Sequence, residues 1–423
     1  MAERLLTIFN NIGISLSSEL HKQTTSSTSG GQNSAEDIVV VSALRTPLGK
    51  AKRGAFKDTP ADDLLAVVLK AVVDDTKINP AEIGDICVGN VLDPGSATTA
   101  RLAQFYSGIP ETVPVYTTNR QCSSGLVAFM NVAGNIKNGF YNVGVAAGVE
   151  SMSTNPRERK GYVLNPRSAE SQLTKDVLLP MGITSENVAE RFGVSREEQD
   201  EFALSSQIKA KKAADAGLFD AEIVPVTTTV KDANGKTQTV TVSKDEGIRP
   251  TTLENLRKLK PAFKANGSTT AGNASQVSDG AAAVLLMTRH EAQRRGLPIL
   301  GILRSFAVKG CAPDVMGIGP AVAIPVALEK AGLTVDDIDI FEINEAFASQ
   351  AVYCVKKLGI PIERVNPKGG AIALGHPLGC TGARQIATLL HELKRRGQRS
   401  YGVISMCMGT GMGAAAVFEY PGS

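Results

Sequence analysis

The chain carries one short pattern twice, once in each half, and this repetition limits the folds open to it more than any other feature. Residues 84–90 (GDICVGN) and 338–344 (IDIFEIN) each predict a short apolar strand that ends in Asn. Further along, Cys122 and Cys380 each lie in a turn of small residues, and a helix and then a strand are predicted after each. Two similar halves would form a ligand cleft where they meet. Two unrelated units could also share this order by coincidence.

Strands and helices alternate along the body of the chain, which predicts an α/β fold. Residues 38–41 form an unbroken β-branched run (IVVV), and such runs are typical of strands buried on both faces. The spacing of apolar residues then predicts a helix over 64–73, a strand over 85–88, a helix over 126–136 and a strand over 143–147. This order predicts helical layers packed on strand layers.

Changes in composition predict the domain organisation. Residues 1–36 begin with a short amphipathic stretch and continue into a Ser-, Thr- and Gly-rich tract, so they are interpreted as a targeting extension with a linker. Residues 37–153 and 278–300 would form the N-terminal half, and residues 301–423 the C-terminal half. The polar and basic residues 154–277 would form an inserted loop subdomain that covers the cleft.

Two local signals lie inside this predicted subdomain. Residues 224–242 alternate around Asn234-Gly235, which is a strong signal for a β-hairpin. Ser195 and Glu198 have the spacing of a capping box, which predicts a helix over 197–214.

Composition disfavours several classes of protein. The net charge of the 423-residue chain is only +3 and there is no Trp, so a nucleic-acid-binding surface is not expected. Gly, Pro or charged residues interrupt every apolar stretch before about 18 residues, so no membrane span is expected. Six cysteines without a C-x-x-C pair predict neither a zinc site nor a disulfide framework. Reduced thiols in an intracellular protein without a bound metal are expected instead.

The segment NRQCSSG at 119–125 contains a candidate nucleophile. Cys122 precedes an apolar stripe of helical spacing, which places it at or just before a helix N-terminus. Free backbone N–H groups and the helix dipole favour a thiolate at such a position. The alternative is an inert buried thiol, but the small Ser and Gly neighbours leave room for a substrate.

The segment GHPLG at 375–379 contains a candidate base. Among the four histidines, only His376 lies in a Gly/Pro turn; His21 belongs to the N-terminal extension, and His290 and His391 lie in charged helices and are expected to be solvated. A histidine in a turn can be structural or merely exposed. Beside a candidate nucleophile, however, it is the natural general base.

The segment SMCMGTG at 405–411 contains a second candidate cysteine. Cys407 closes an apolar strand and precedes a glycine-rich loop. It could be an ordinary core residue. The glycines favour another interpretation, in which the backbone is held close to a small ligand.

These segments, in this order and spacing, resemble the motifs of the thiolase family from about residue 39 to the end of the chain. The similar segments are the nucleophile motif at 119–125, NEAF at 344–347, GHPLG at 375–379 and CMGTG at 407–411. PMGIT at 180–184 and AGNAS at 271–275 resemble the peroxisomal-type 3-ketoacyl-CoA thiolases in particular. The resemblance implies a five-layered α-β-α-β-α fold of two duplicated halves with an inserted loop subdomain.

The resemblance also implies a reaction, the cleavage of 3-ketoacyl-CoA by CoA in fatty-acid β-oxidation. Cys122 would attack the keto carbon after His376 takes its proton, and Cys407 would protonate the departing acetyl-CoA enolate. Backbone N–H groups of Cys122 and Gly409 would form one oxyanion hole, and His376 with a water positioned by Asn344 would form the second. No metal or redox cofactor is implied, because CoA is a substrate.

Further residues are implied to bind CoA. Arg249 and Ser275 correspond to contact residues of the family, and Met181 would line the channel for the pantetheine arm. A basic cluster could meet the CoA phosphates or could simply be a solvated face; its members are Arg257, Lys258, Lys260 and Lys264.

Pro180 bears on which kind of thiolase is implied. Many thiolases that make acetoacetyl-CoA have His before Met-Gly, whereas this chain has Pro180. This favours a degradative enzyme over a biosynthetic acetoacetyl-CoA thiolase. A non-catalytic CoA- or lipid-binding relative would have lost catalytic side chains, and a ketosynthase-type condensing enzyme would have His in the place of Cys407.

Partners and compartment are expectations from the same resemblance. At least a homodimer is implied. Arg4-Leu5 followed at a distance by Asn11-Ile12 resembles the N-terminal peroxisomal signal, which an import receptor would bind, but the last two positions depart from its pattern. A peroxisomal location is therefore expected, with the mitochondrion or cytoplasm as alternatives.

Overall fold

The structure, a computed structural model, describes residues 34–154, 164–232 and 234–422. Nearly all of the predicted N-terminal extension, including the signal-like residues and His21, therefore lies outside the described residues. The strands within the described residues are β1 (Ile38–Arg45), β2 (Gly49–Lys50), β3 (Asp85–Gly89), β4 (Val115–Thr118), β5 (Val143–Ser151), β6 (Val226–Lys231), β7 (Thr237–Val242), β8 (Ser278–Thr288), β9 (Gly301–Gly310), β10 (Ile340–Ile343), β11 (Ser400–Met408) and β12 (Met412–Tyr420).

Helices alternate with these strands, as the periodicity predicts. The predicted helices over 64–73 and 126–136 are confirmed as the cores of slightly longer helices. The α-helices of the described residues are α1 (Ala61–Thr76), α2 (Ser96–Tyr106), α3 (Ser124–Lys137), α4 (Gln172–Asp176), α5 (Met181–Phe192), α6 (Arg196–Asp215), α7 (Leu253–Arg257), α8 (Arg289–Arg294), α9 (Gly319–Ala331), α10 (Ala348–Leu358), α11 (Ala371–Leu374) and α12 (Thr381–Arg396).

The strand order repeats in the two halves, which confirms the predicted duplication. The first half has the order β4-β3-β5-β8-β1 and the second β10-β11-β12-β9, joined where β1 pairs with β9. In each half the strands on one side are parallel, β4, β3 and β5 in the first and β10 and β11 in the second, and the pairs that follow are antiparallel. Val365 bridges Phe341 in parallel. It therefore takes the place in the second half that β4 has in the first.

The molecule has five layers, because the two faces of each strand set pack in different apolar clusters. Along β5, Val143, Val145 and Ala147 belong to one apolar cluster, whereas Ala146, between them, belongs to another. The cluster of Ala146 joins the inner faces of both strand sets to α3 and α12. The outer face of the first set packs on α1 and α2, and that of the second on α9 and α10. The α-β-α-β-α order is thus confirmed, with the two central helices enclosed between the strand layers.

Glycines allow the two central helices to touch at their first turns. A Cβ on Gly382 would lie 2.2 Å from the backbone nitrogen of Leu126, and a Cβ on Gly125 would lie 2.7 Å from the carbonyl oxygen of Gly379. Contacts this short leave no space for any side chain. The segments that precede the two helices, which contain Cys122 and Cys380, therefore meet at the boundary between the halves.

Residues 154–277, predicted to form a loop subdomain, contain the two local structures predicted for them. Strands β6 and β7 pair antiparallel as the expected hairpin. Helix α6 begins with the expected capping box, in which the Ser195 hydroxyl accepts from the Glu198 N–H and the Glu198 carboxylate accepts from the Ser195 N–H. The domain boundaries at 153/154 and 277/278 stay predictions.

Candidate active site

Cys122 lies immediately before Ser123 and the start of α3, as the sequence predicts. Gln121 has a φ of +51°, a left-handed conformation that is rare for a residue with a side chain and turns the backbone sharply. Hydrogen bonds hold this turn, because the Ser124 hydroxyl donates to the Gln121 carbonyl (2.6 Å) and accepts from the Arg120 N–H (2.9 Å). The Cys122 side chain is partly exposed and so remains accessible to a substrate.

His376 is buried, and both ring nitrogens face polar side chains. Nδ1 lies 2.6 Å from the Thr381 hydroxyl, and Nε2 lies 3.4 Å from the Asn344 amide nitrogen. In the tautomer with its proton on Nδ1, that proton is directed at Thr381 and Nε2 accepts from the Asn344 amide. This tautomer presents an unprotonated nitrogen toward the site, as a general base requires.

Asn344 lies at the end of β10, and strand pairing places it beside β11. Its backbone N–H donates to the Ser405 carbonyl at 2.9 Å. Its side-chain Oδ1 is buried and makes no hydrogen bond within the described part of the chain. A buried acceptor without a protein partner is costly, so this oxygen fits a small polar molecule in the site.

Cys407 lies near the end of β11 and is fully buried. Its Sγ lies 3.5 Å from Oε1 of Gln350. It packs in a small apolar cluster whose other members are Met316, Ala346, Phe347, Met181 and Ala274. Burial, together with the nearby Cys122 thiol, raises the pKa of the Cys407 thiol well above its usual range. Cys407 is therefore a neutral S–H group at physiological pH, which suits a proton donor.

Gly409 faces the loop that carries Cys122. A Cβ at Gly409 would lie 3.5 Å from Sδ of Met181 and 3.7 Å from Oε1 of Gln121. The next residue, Thr410, has a φ of +72°, so the chain turns here before β12. The structure thus brings the five predicted catalytic residues into one region, although they come from both halves of the sequence.

The three predicted CoA-binding residues have different surroundings. Met181, at the start of α5, contacts the Cys407 cluster, and the Ser275 N–H donates to the Ala346 carbonyl, so both lie near the predicted catalytic residues. Arg249 is exposed and lies farther out. It lines an open cavity of about 280 Å³ together with Ala271 and Gly272, which belong to the same loop as Ser275.

The basic cluster is ion-paired on the surface. Three of its members contact carboxylates: Arg257 contacts Glu197, Lys258 contacts Glu254, and Lys264 contacts Glu190. These exposed pairs agree with the interpretation of a solvated face.

One expectation about the histidines is wrong. His391 is only partly exposed, since its Nε2 lies 2.9 Å from the Ala43 carbonyl, and desolvation lowers the pKa of the ring. The charges at the end of α12 misled the prediction, because Lys394, Arg395 and Arg396 are exposed there. His290 is exposed, as expected.

Sequence reasoning missed two residues that contact the predicted catalytic groups. Thr381 holds the His376 ring and Gln350 contacts the Cys407 thiol. The sequence could have indicated Thr381, because it begins the helix that follows the GHPLG turn. Gln350 lies one turn into the helix after NEAF, but nothing in the sequence connects it with Cys407.

Comparison with known proteins identifies the family. The model of the N-terminal thiolase domain matches residues 38–290, and that of the C-terminal thiolase domain matches residues 297–420. This chain belongs to the thiolase family. Among curated thiolases, the peroxisomal 3-ketoacyl-CoA thiolase B of Mus musculus is 68% identical over 394 residues, covering 93% of each chain.

Solved thiolase structures agree with the fold. The dimeric peroxisomal thiolase of Saccharomyces cerevisiae is 50% identical, with a TM-score of 0.84 over 92% of this chain and 98% of that one. A second structure of the peroxisomal 3-ketoacyl-CoA thiolase of this yeast is described as five layers built from two core domains of identical topology. It is 46% identical, with a TM-score of 0.75 over 92% of this chain and 99% of that one. The fold expected from the sequence motifs is confirmed.

Two further observations concern the described residues of this thiolase. No group of three or more His, Cys, Asp or Glu side chains in this part of the chain could hold a metal ion. None of the described helices has both the length and the apolar character needed to span a bilayer.

Proposed function

We propose that this thiolase cleaves 3-ketoacyl-CoA with CoA, releasing acetyl-CoA and an acyl-CoA shortened by two carbons, in fatty-acid β-oxidation. The observation that carries the proposal is the pair of unlike cysteines in one site. Cys122 is partly exposed at a helix N-terminus, whereas Cys407 is buried and its thiol has a raised pKa. A nucleophile and a proton donor are the two groups that a carbon–carbon thiolysis needs.

In the first step, Cys122 attacks the 3-keto carbon. Nε2 of His376 accepts the thiol proton, and the resulting imidazolium is held by Thr381 through Nδ1. The new carbon–sulfur bond turns the keto oxygen into an oxyanion. Backbone N–H groups of Cys122 and Gly409, on the two sides of the site, would stabilise this charge, and each such donor typically contributes a factor of about 10² to 10³.

In the second step, the bond between carbons 2 and 3 breaks. The electron pair moves onto the departing thioester as an enolate, whose oxygen would be stabilised by His376 and by a water held at Asn344 Oδ1, an acceptor that has no protein partner in the described residues. Cys407 then gives its proton to carbon 2. This releases acetyl-CoA and leaves an acyl group on Cys122.

In the third step, a second CoA loses its thiol proton to the same acid–base pair and attacks the acyl group on Cys122. The chain-shortened acyl-CoA leaves, and Cys122 is regenerated. Acyl transfer between thiols needs no redox step, so CoA enters only as a substrate and no cofactor is required. Arg249, Ser275 and Met181 would line the path of CoA from the surface to the cysteines.

We propose a homodimer in which strand β4 meets its copy. This strand ends the strand order, and its four residues are only half-buried. Beside it, α2 exposes a group of large apolar side chains, Leu102, Phe105 and Tyr106. An edge strand beside an apolar helix is a surface that proteins cover. The yeast relative is dimeric, as described above.

We assign the chain to the peroxisome, because the mouse relative is named as a peroxisomal enzyme. Residues 4–12, which resemble a peroxisomal signal, lie outside the described residues. Their binding to an import receptor stays a prediction.

The test is CoA-dependent cleavage of 3-ketoacyl-CoA substrates of four to sixteen carbons, with intact-mass detection of the acylated enzyme. Cleavage of the longer chains and an acyl group on Cys122 are expected. Activity confined to acetoacetyl-CoA would indicate the short-chain biosynthetic type instead. The absence of both cleavage and acyl-enzyme would overturn the proposal and leave a CoA- or lipid-binding relative.

A further inference from the structure

The Cys407 thiol has a side-chain contact for which the mechanism above has no role. Its Sγ lies 3.5 Å from Oε1 of Gln350, within the range of a hydrogen bond to sulfur. Both side chains are fully buried, with no exposed surface. A thiol is a weak donor, so a contact of this kind mainly determines where the S–H bond points.

Gln350 is held so that its oxygen, and not its nitrogen, faces the thiol. The Ala346 N–H donates to the same Oε1 at 3.1 Å, which fixes the orientation of the amide. The side chain cannot shift easily, because Gly317 packs so closely that a Cβ there would lie 2.7 Å from the Gln350 Cβ. The acceptor is therefore positioned by two other segments of the C-terminal half.

The nitrogen of the same amide has a different environment. Gln350 Nε2 is buried and makes no hydrogen bond within the described residues. This nitrogen therefore makes no hydrogen bond to the Cys407 sulfur, and the contact with the thiol is made by Oε1 alone.

We propose that Gln350 is the positioning residue for the acid Cys407. Its Oε1 orients the S–H group of the resting enzyme, from which the proton moves to carbon 2 of the enolate. In that step a carbon–hydrogen bond forms, the sulfur–hydrogen bond breaks, and the sulfur keeps the electron pair. The inference rests on the proposed function, because it assigns a residue to one step of that reaction.

The experiment measures the roles of the two cysteines separately, with one half-reaction for each. Exchange of the methyl protons of acetyl-CoA with deuterium from the solvent requires proton transfer at Cys407. Transfer of the acyl group from an acyl-CoA to Cys122, followed by intact mass, forms no bond to carbon 2. In Gln350→Met, which keeps the length of the side chain, deuterium exchange should fall about 10²-fold, a typical contribution of general acid–base catalysis. Acyl transfer should stay within about threefold of the wild-type rate, since Cys122 is untouched.

Gln350→Glu provides a second measurement that a merely structural residue would not affect. A protonated carboxyl offers the S–H group a neutral acceptor, as the amide does, whereas a carboxylate is negatively charged and opposes the formation of the Cys407 thiolate. The rate of deuterium exchange should therefore recover in this variant as the pH is lowered. The wild-type enzyme should not show this dependence on pH. Gln104→Met is the matched control, since Gln104 is also fully buried and hydrogen-bonded, on α2 in the other half. It should reproduce any general loss of stability while both half-reactions continue.

Two results would overturn the inference. Equal loss of deuterium exchange and acyl transfer in Gln350→Met would show that Gln350 supports the fold of the site as a whole. Wild-type exchange in both Gln350 variants would show that Cys407 needs no such partner. If the wild-type enzyme itself performed neither half-reaction, the proposed function would fail first, and the role of Gln350 with it.

Discussion

Cys122 and Cys380 occupy matching places in the two halves of the molecule, directly before the central helices α3 and α12. Cys122 is partly exposed on a sharply turned loop. Cys380 is completely buried, and burial raises the pKa of its thiol to about 12. The packing around it is tight, because a Cβ on Gly148 would lie 2.9 Å from the Cys380 Cα. The same position in the repeated unit thus holds a candidate nucleophile in one half and a core residue in the other.

The difference shows that a helix N-terminus does not by itself activate a cysteine. At exposed sites, the dipole of a helix typically stabilises a nearby charge by no more than about 1 kcal/mol. A rise of the thiol pKa from 9.0 to about 12 corresponds to about 4 kcal/mol against the thiolate of Cys380. Loss of solvent therefore outweighs the dipole. Access to substrate and water, which differs between the halves, decides which cysteine can react.

The largest expected effect comes from removing each thiol in turn. Cys122→Ala should lower kcat by at least about 10⁴-fold, as the loss of a covalent nucleophile does in other enzymes. Cys380→Ala should keep kcat within about threefold and lower the stability by about 1 kcal/mol, because it removes only a small buried group. Steady-state kinetics and thermal unfolding of both variants measure this. An active Cys122→Ala enzyme would contradict the assignment of the nucleophile.

Alkylation compares the two thiols in the unmodified enzyme. At pH 8, iodoacetamide should modify Cys122 at least about 10³-fold faster than Cys380, since reaction requires an accessible thiolate. Peptide mass spectrometry over a time course gives both rates in one sample, and acetyl-CoA should protect Cys122. Similar rates for the two cysteines would show that the buried environment of Cys380 opens readily.

Glycine substitutions test the contact between the two central helices. Gly382→Ala should destabilise the protein by about 3 kcal/mol, because the new Cβ would overlap the backbone at Leu126. Gly134→Ala on α3 is the control, since a Cβ there has no neighbour within 4 Å. This control should stabilise the protein by about 0.5–1 kcal/mol, as Ala favours a helix over Gly. Denaturant unfolding measures both, and equal effects would contradict the close contact.

Glu150 links the two halves beside Cys380, and its contribution to the free energy of unfolding should depend on pH. Its carboxylate accepts from the Gly379 N–H of the second half at 3.0 Å, and burial raises its pKa to about 7. The folded protein therefore holds this proton more tightly than the unfolded chain. The stabilisation is fully present below the unfolded pKa of about 4.5 and is lost as the pH rises through about 7.

Glu150→Gln removes this titration. Relative to the wild-type protein, the variant should gain about 2 kcal/mol in free energy of unfolding between pH 5 and pH 8. Denaturant titrations at the two pH values measure it. A difference that does not change with pH would show that Glu150 has the same pKa in the folded and unfolded states.

Much of the fold and of the site was predictable from the sequence, because the signals are local. Periodic apolar residues predict the strands and helices, Asn234-Gly235 predicts the hairpin, and Ser195 with Glu198 predicts the start of α6. Cys122, His376 and Cys407 could be singled out because each lies in a short segment with Gly, Pro or Ser neighbours, whereas Asn344 and Gly409 were implied only by the resemblance to thiolases. These features depend on residues close together in the chain.

Tertiary structure alone decided the surroundings of those residues. The sequence presents Cys122 and Cys380 in similar turns, and only packing exposes one and buries the other. The contacts of Gln350 with Cys407 and of His391 with Ala43 join residues 57 and 348 positions apart. The sequence by itself therefore determined which groups the protein carries and on which local elements. The exclusion of water and the distances between remote segments, which set the pKa and the reach of each group, arise only when the layers pack.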